Sequence, residues 1–268
     1  MRSFEQIGRE SAIDACERAL RARVLGGDLP AGARLPPERD LAMQLGVDRG
    51  TLRPAIARLT AQGLLEARQG RGTTVLDVKS AGSFDVVRDL LAAADSTPAL
   101  VPLVKDLLRV RRHLARALLE VAVDVGPFDD DDLVAVVDAA DAFATAWGAH
   151  GDGAIRGNDD ACAAVCAADL AVMKAVVHAV CARAGSVVFA LAMNPVERAV
   201  MASSSLRAAL APGLADSVVG WQALIALLRA PSADHLALLG AHLDASDAAT
   251  VARLRGRLQP TTDTEDQT

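Results

Sequence analysis

Between Leu29 and Leu76 the chain is punctuated by prolines and glycines in an order that few folds accept. Leu29-Pro-Ala-Gly-Ala-Arg-Leu-Pro-Pro37 reads as an extended connector, because proline cannot donate to a helical ladder. A helix begins at Glu38-Arg39-Asp40 with Leu41 and Leu45 on one face, and Gly46 ends it. Val47 is available to plug the turn. Asp48 is a good N-cap for a next helix, Arg49 to Ala61, whose inner face is Leu52, Ile56 and Leu59. Two short helices around a tight glycine turn form a helix-turn-helix, the second helix of which enters the major groove of DNA. Upstream, Ile13, Ala19, Leu20 and Val24 give helical spacing as far as Gly26-Gly27. Downstream, Gly63-Leu-Leu-Glu-Ala-Arg, Gln69-Gly-Arg-Gly72 and Thr73-Thr-Val-Leu76 predict a β-hairpin wing with Arg71 at its tip.

Charge is unevenly divided. The whole chain carries −6, yet residues 1–78 hold 12 Arg and no Lys against ten acids, and the remaining residues are strongly acidic. An Arg-only basic segment suits phosphate and guanine, because guanidinium presents a fixed fork of donors. Four Cys in 268 residues, with no apolar leader after Met1, point to reduced thiols in the cytoplasm. The apolar stretch from Ala171 to Met193 is broken by Lys174, His178 and Arg183, which argues against a membrane span.

The amino-terminal segment resembles the GntR superfamily of bacterial transcription regulators. The motifs are Leu35-Pro-Pro-Glu-Arg-Asp-Leu-Ala, Leu45-Gly-Val-Asp-Arg-Gly-Thr-Leu-Arg53, Leu59-Thr-Ala-Gln-Gly-Leu-Leu and Gly70-Arg-Gly-Thr, within residues 10–76. The resemblance implies DNA contacts from Arg39, which clamps the backbone, from Arg49, Gly50, Thr51 and Arg53 on the recognition helix, and from Gln69, Gly70 and Arg71 in the wing. Arg49 or Arg53 can read guanine O6 and N7 with two hydrogen bonds, and Thr51 at the helix start can hold phosphate. Asp48 cannot donate to phosphate and stays a cap. Pro54 departs from the family pattern. It cannot donate to the Gly50 carbonyl, so a bent recognition helix is expected.

From Phe84 onward apolar stripes repeat at helical spacing. They run over 86–93, 101–125, 130–147, 159–183, 186–209, 215–229 and 232–258, with Pro and Gly mainly between them. With aromatics at 3% and no Tyr, the core must be built from Ala, Val and Leu, which favours closely packed helices. The expected fold is mainly α. A winged helix-turn-helix of three helices plus a hairpin over 1–78 is followed by a linker over 79–84. An all-α antiparallel bundle of six or seven helices then covers 85–258, with a disordered tail over 259–268.

The second half resembles the FadR subfamily of these regulators, through Leu107-Leu-Arg-Val-Arg111 and Ala233-Asp-His-Leu-Ala-Leu-Leu-Gly-Ala-His242. That resemblance implies a homodimer that binds a double-stranded operator with an inverted repeat and a small effector within the helices. Many such domains hold a metal with one Asp and three His. Here Asp169 and His242 fit, but Met173 and Gly220-Trp221 stand at the other positions, so neither metal nor another cofactor is expected. Candidate effector contacts are Arg111, Asp169, Met173, Trp221 and His242. Met173 and Trp221 also suit a core, and Arg111 also suits a snorkelling surface position. The first-choice effector is a fatty acyl-CoA or related lipid. Against it, the chain lacks the Tyr and Ser that flank the Gly/Ala-His of acyl-CoA responders. The alternative is a metal-dependent sensor of a small carboxylate. Cys162 and Cys166 read as small buried thiols, and Asp129 to Asp132 as a helix start. No Glu-x-x-His, Gly-x-Ser-x-Gly or Walker loop occurs, so an enzyme is not expected.

Overall fold

In the computed structural model, which describes residues 12–68 and 70–259, the amino-terminal punctuation produces three helices and a hairpin. α1 spans Ala12–Leu25, α2 Glu38–Leu45 and α3 Arg49–Ala61, while β1 spans Leu65–Arg68 and β2 Gly72–Val75. Gly46 leaves α2 at a φ of +66°, a left-handed conformation that favours glycine. The Val47 amide then donates to the Ala42 carbonyl at 3.0 Å, closing the turn. Leu52, Ile56 and Leu59 face inward as expected, and pack with Leu20, Leu41 and Val75. β1 and β2 pair antiparallel, Leu65 opposite Val75 and Arg68 opposite Gly72. The connector does more than join helices. Leu35 donates to the Thr73 carbonyl and Val75 to the Ala33 carbonyl, both at 2.9 Å, so Arg34 lies opposite Thr74 as a third rung of ribbon.

The stretch expected as a linker is packed instead. α4 spans Val78–Ala81 and α5 Val86–Ala94. Gly63, at a φ of +74°, lies so close to Ala81 that a Cβ would sit 1.9 Å from its carbonyl oxygen. The Ser83 amide donates to the Gln62 carbonyl at 3.0 Å, and Val86 is buried in the amino-terminal core. Asp89 pairs with Arg21 at 3.0 Å. Two compact units therefore divide between Ala93 and Ala94, and not at 79–84. The apolar face of α5, Val86 and Leu90, packs against the first unit's core, so the chain remains attached there.

The second unit holds α6 (Leu100–Val125), α7 (Asp130–Ile155), α8 (Asp159–Ala184), α9 (Val188–Met201), α10 (Ser204–Leu210), α11 (Ser217–Arg229) and α12 (Ala233–Leu258). A 3-10 turn at Ala211–Ala215 joins α10 to α11. α8 is central, packing against α6, α7, α9 and α10, while α12 lies along α6. α8 is long and apolar enough to cross a bilayer, but Cys162, Val165, Val172 and Val180 are core residues, which accounts for its apolarity. α7 runs beyond the expected stop at Trp147. Gly153 instead allows close approach to α8, since a Cβ there would sit 3.1 Å from that of Ala161. The single helix expected over 186–209 is broken at Ser203, whose side chain caps α10 through the Leu206 amide. Beyond Gln259, the expected tail lies outside the described residues.

Candidate functional site

The first turn of α3 is organised by Asp48. Its carboxylate accepts from the Thr51 amide at 2.8 Å, and the Thr51 hydroxyl donates to its other oxygen at 3.3 Å. Thr51, expected to hold phosphate, thus directs both polar groups at the cap. Gly50 leaves room for that carboxylate, since a Cβ would lie 3.0 Å from Oδ1. Arg49 is exposed beside them. Arg53 is exposed too, yet its Nε donates to Glu38 Oε2 at 2.9 Å, so this guanidinium must leave an acid before it meets a base. α3 continues through the exposed Pro54, which has no N–H for the Gly50 carbonyl. Arg39 is exposed on α2. At the wing tip Gly70 and Gly72 take φ of +75° and +82°, and the exposed Arg71 sits between them. Gln69 lies outside the described residues.

Sequence reasoning missed a buried acid behind α3. Glu17 of α1 bonds Arg21 and accepts from Arg58 at 3.1 Å and Gln62 at 3.3 Å. Asp14 takes Arg58 from the other side at 2.6 Å. Arg58 therefore serves the fold, although charge counting grouped it with the DNA-facing arginines. Residues 41 to 45 apart in sequence carry no local signal of this network.

The second unit holds a partly open cavity of about 180 Å³. All five expected effector contacts line it: Arg111 from α6, Asp169 and Met173 from α8, Trp221 from α11 and His242 from α12. The rest of the wall is mostly aliphatic, including Leu118, Val176, Val200 and Leu224. The Trp221 indole Nε1 donates to Asp169 Oδ1 at 2.8 Å. Burial pushes the Asp169 carboxyl up to about 6, against the Trp221 hydrogen bond, the Arg111 charge and a Ser217 hydrogen bond. Arg111 donates through Nη2 to the buried Asp247 at 2.5 Å, and its Nε has no partner among the described residues. Arg112 and Arg116 continue this ladder to Asp244 of α12, at 2.7 and 2.8 Å.

These donors do not fit a metal ion. Trp221 presents an N–H to Asp169 where a cation needs a lone pair, and Met173 supplies only a thioether. Among the described residues no group of three His, Cys, Asp or Glu is placed to hold a metal. Cys166 borders the cavity, but burial pushes its thiol up to about 12, so it acts as a small apolar wall.

Residues 13–75 match the family described as bacterial regulatory proteins, gntR family. The HTH-type transcriptional regulator Mce2R of Mycobacterium tuberculosis is 39% identical over 89 residues, 33% of this chain and 37% of that protein. The fatty acid metabolism regulator protein of Edwardsiella ictaluri is 32% identical over 143 residues, 52% of this chain and 59% of that protein. The chain thus matches less than two thirds of the length of these curated relatives. The second match is longer than the first unit, so it reaches into the helical one. A solved structure described as "Lar controls the expression of the Listeria monocytogenes agr system and mediates virulence" covers 96% of this chain and 100% of its own. Its TM-score of 0.57 at 15% identity shows a shared fold. These relatives are named as regulators, not as enzymes.

Proposed function

We propose, from the match of residues 13–75 to the gntR family of bacterial regulatory proteins, that the chain is a dimeric, sequence-specific DNA-binding transcription regulator controlled by a small effector. The observation that carries this reading is the first turn of α3, where the Asp48 cap sets a helix start with Arg49 exposed beside it. Arg49, and Arg53 once released from Glu38, read base edges. Arg39 and Arg71 hold backbone, and the Gly50 and Gly70 amides allow close approach. Two copies related by a two-fold axis then read an inverted repeat. The acidic second unit adds no general affinity for DNA, so binding depends on the amino-terminal arginines.

The effector we propose is a fatty acyl-CoA or related lipid thioester. Aliphatic walls suit an acyl chain, and Arg111, Ser217 and His242 supply polar contacts for its head. The likeness to a fatty acid metabolism regulator agrees with that choice. Effector binding shifts the balance between two arrangements of the dimer that differ in operator affinity.

The test selects duplexes from a random pool, then titrates the selected operator with decanoyl-CoA while following tryptophan emission and DNA anisotropy. The reading expects an enriched palindrome, and ligand binding that changes operator affinity. Equal affinity for all duplexes would overturn the regulator. Operator binding and tryptophan emission both indifferent to acyl-CoAs of every length would overturn the effector.

A further inference from the structure

Asp95 stands one residue inside the second unit, directly after the division at Ala93 and Ala94. Its carboxylate accepts from three successive residues at the start of α10. The Ser203 hydroxyl approaches to 2.7 Å, the Ser204 amide and hydroxyl to 3.2 and 2.9 Å, and the Ser205 amide to 3.2 Å. Burial pushes the carboxyl up, but these hydrogen bonds outweigh it and hold it below the ordinary range. Beside it, Ser96 takes a φ of +62°, a left-handed conformation that non-glycine residues rarely hold. Thr97 fixes that turn by donating its hydroxyl to the Ala94 carbonyl at 2.7 Å.

The other end of the same short helix meets the cavity. α10 has seven residues, and Leu210 at its end, with Gly213 and Leu214 in the following 3-10 turn, lines the cavity wall. Between the two ends, Arg207 is buried and bonded to Asp159 at 2.6 Å and to the Met201 carbonyl. A helix of less than two turns, with the 3-10 turn that follows it, therefore holds Asp95 at its start and borders the cavity at its finish.

We propose that α10 is a lever coupling occupancy of the cavity to the point where the chain enters the second unit, with Asp95 as its latch. This rests on the effector reading above and supplies its route. A ligand that displaces Leu210 and Leu214 moves Ser203 to Ser205, loosens their hold on Asp95, and lets the turn at Ser96 relax. The chain leading back to the DNA-binding unit is then less constrained, which separates liganded from free states in operator affinity.

A test that needs no ligand uses a bulky substitution as the occupant. Full-length wild type, Leu214→Trp, Asp95→Asn and the double variant are compared, with Leu214→Phe as a milder second choice should the tryptophan variant not fold. Hydrogen exchange at the Thr97 and Leu100 amides and operator affinity are read in each. The lever expects Leu214→Trp to speed exchange there at least tenfold and to change operator affinity about fivefold or more. It also expects these effects to be lost in the Asp95→Asn background, a strongly non-additive cycle. Unchanged exchange at Thr97, or effects that simply add, would overturn it. A wild type that binds no operator sinks the regulator reading instead, and the exchange arm still decides on the lever.

Discussion

Trp221 and Asp169 meet across 2.8 Å at the cavity wall, an indole N–H pointed at a carboxylate that burial keeps partly protonated near neutrality. The pair makes this end of the cavity sensitive to pH. The folded chain holds the Asp169 proton up to about pH 6, above the ordinary carboxylate value, so its stabilising contribution is complete in acid and lost as pH rises through 6. Asp169→Asn keeps an acceptor for Trp221 and does not titrate. Relative to this variant, wild type should lose roughly 2 kcal/mol of stability between about pH 4 and pH 7, read from urea midpoints. A pH-independent difference would remove Asp169 from the account.

The cap on α3 is the second point of test. Asp48→Ala removes the acceptor for the Thr51 amide and should cost about 1 kcal/mol of stability. Because the same turn positions Arg49, operator affinity should fall as well. Urea unfolding and anisotropy check the two effects separately, and Asp48→Asn should restore most of both.

Behind α3, Glu17→Ala should be more damaging. It removes one of the two acids that hold Arg21, whose side chain is 14% exposed, leaving only Asp89, and it takes an acceptor from Gln62. Losing this largely buried acid while Asp89 and Asp14 still pair with the two arginines costs about 2 kcal/mol, whereas Glu66→Ala, which removes the exposed partner of Arg68, should cost less than about 1 kcal/mol. Thermal melts of the two variants make the comparison.

Gly63 combines a φ of +74° with backbone contact to Ala81. Gly63→Ala should therefore cost at least about 2 kcal/mol and loosen residues 78–86. Faster hydrogen exchange at the Ser83 amide, which bonds to Gln62, would register the loosening.

Local chemistry made much of this legible. Gly46 and Asp48 announced a turn and a cap, Gly70 and Gly72 the wing tip, and the helical spacing of Leu52, Ile56 and Leu59 the buried face. Asp169, Met173, Trp221 and His242 were reached through a family resemblance and Arg111 through its place on an apolar stripe, and the structure gathers all five at one cavity. What escaped depended on long-range partners. Arg53 looks free for DNA until Glu38, fifteen residues back, folds beside it. Residues 79–84 look like a linker because small polar residues read as loop, while Gly63, which receives Ala81, reads only as a turn. Asp95 and Ser203 lie 108 residues apart, and nothing in either segment announces the other.

The most direct measurement compares Arg49→Ala with Arg39→Ala on a selected operator and on random duplex, across a range of salt. The account predicts that Arg49→Ala loses about 1–3 kcal/mol on the operator and little on random duplex, relaxing sequence preference. It predicts that Arg39→Ala weakens both alike and lowers the salt slope by about 1. Equal losses on both duplexes for both variants would contradict it.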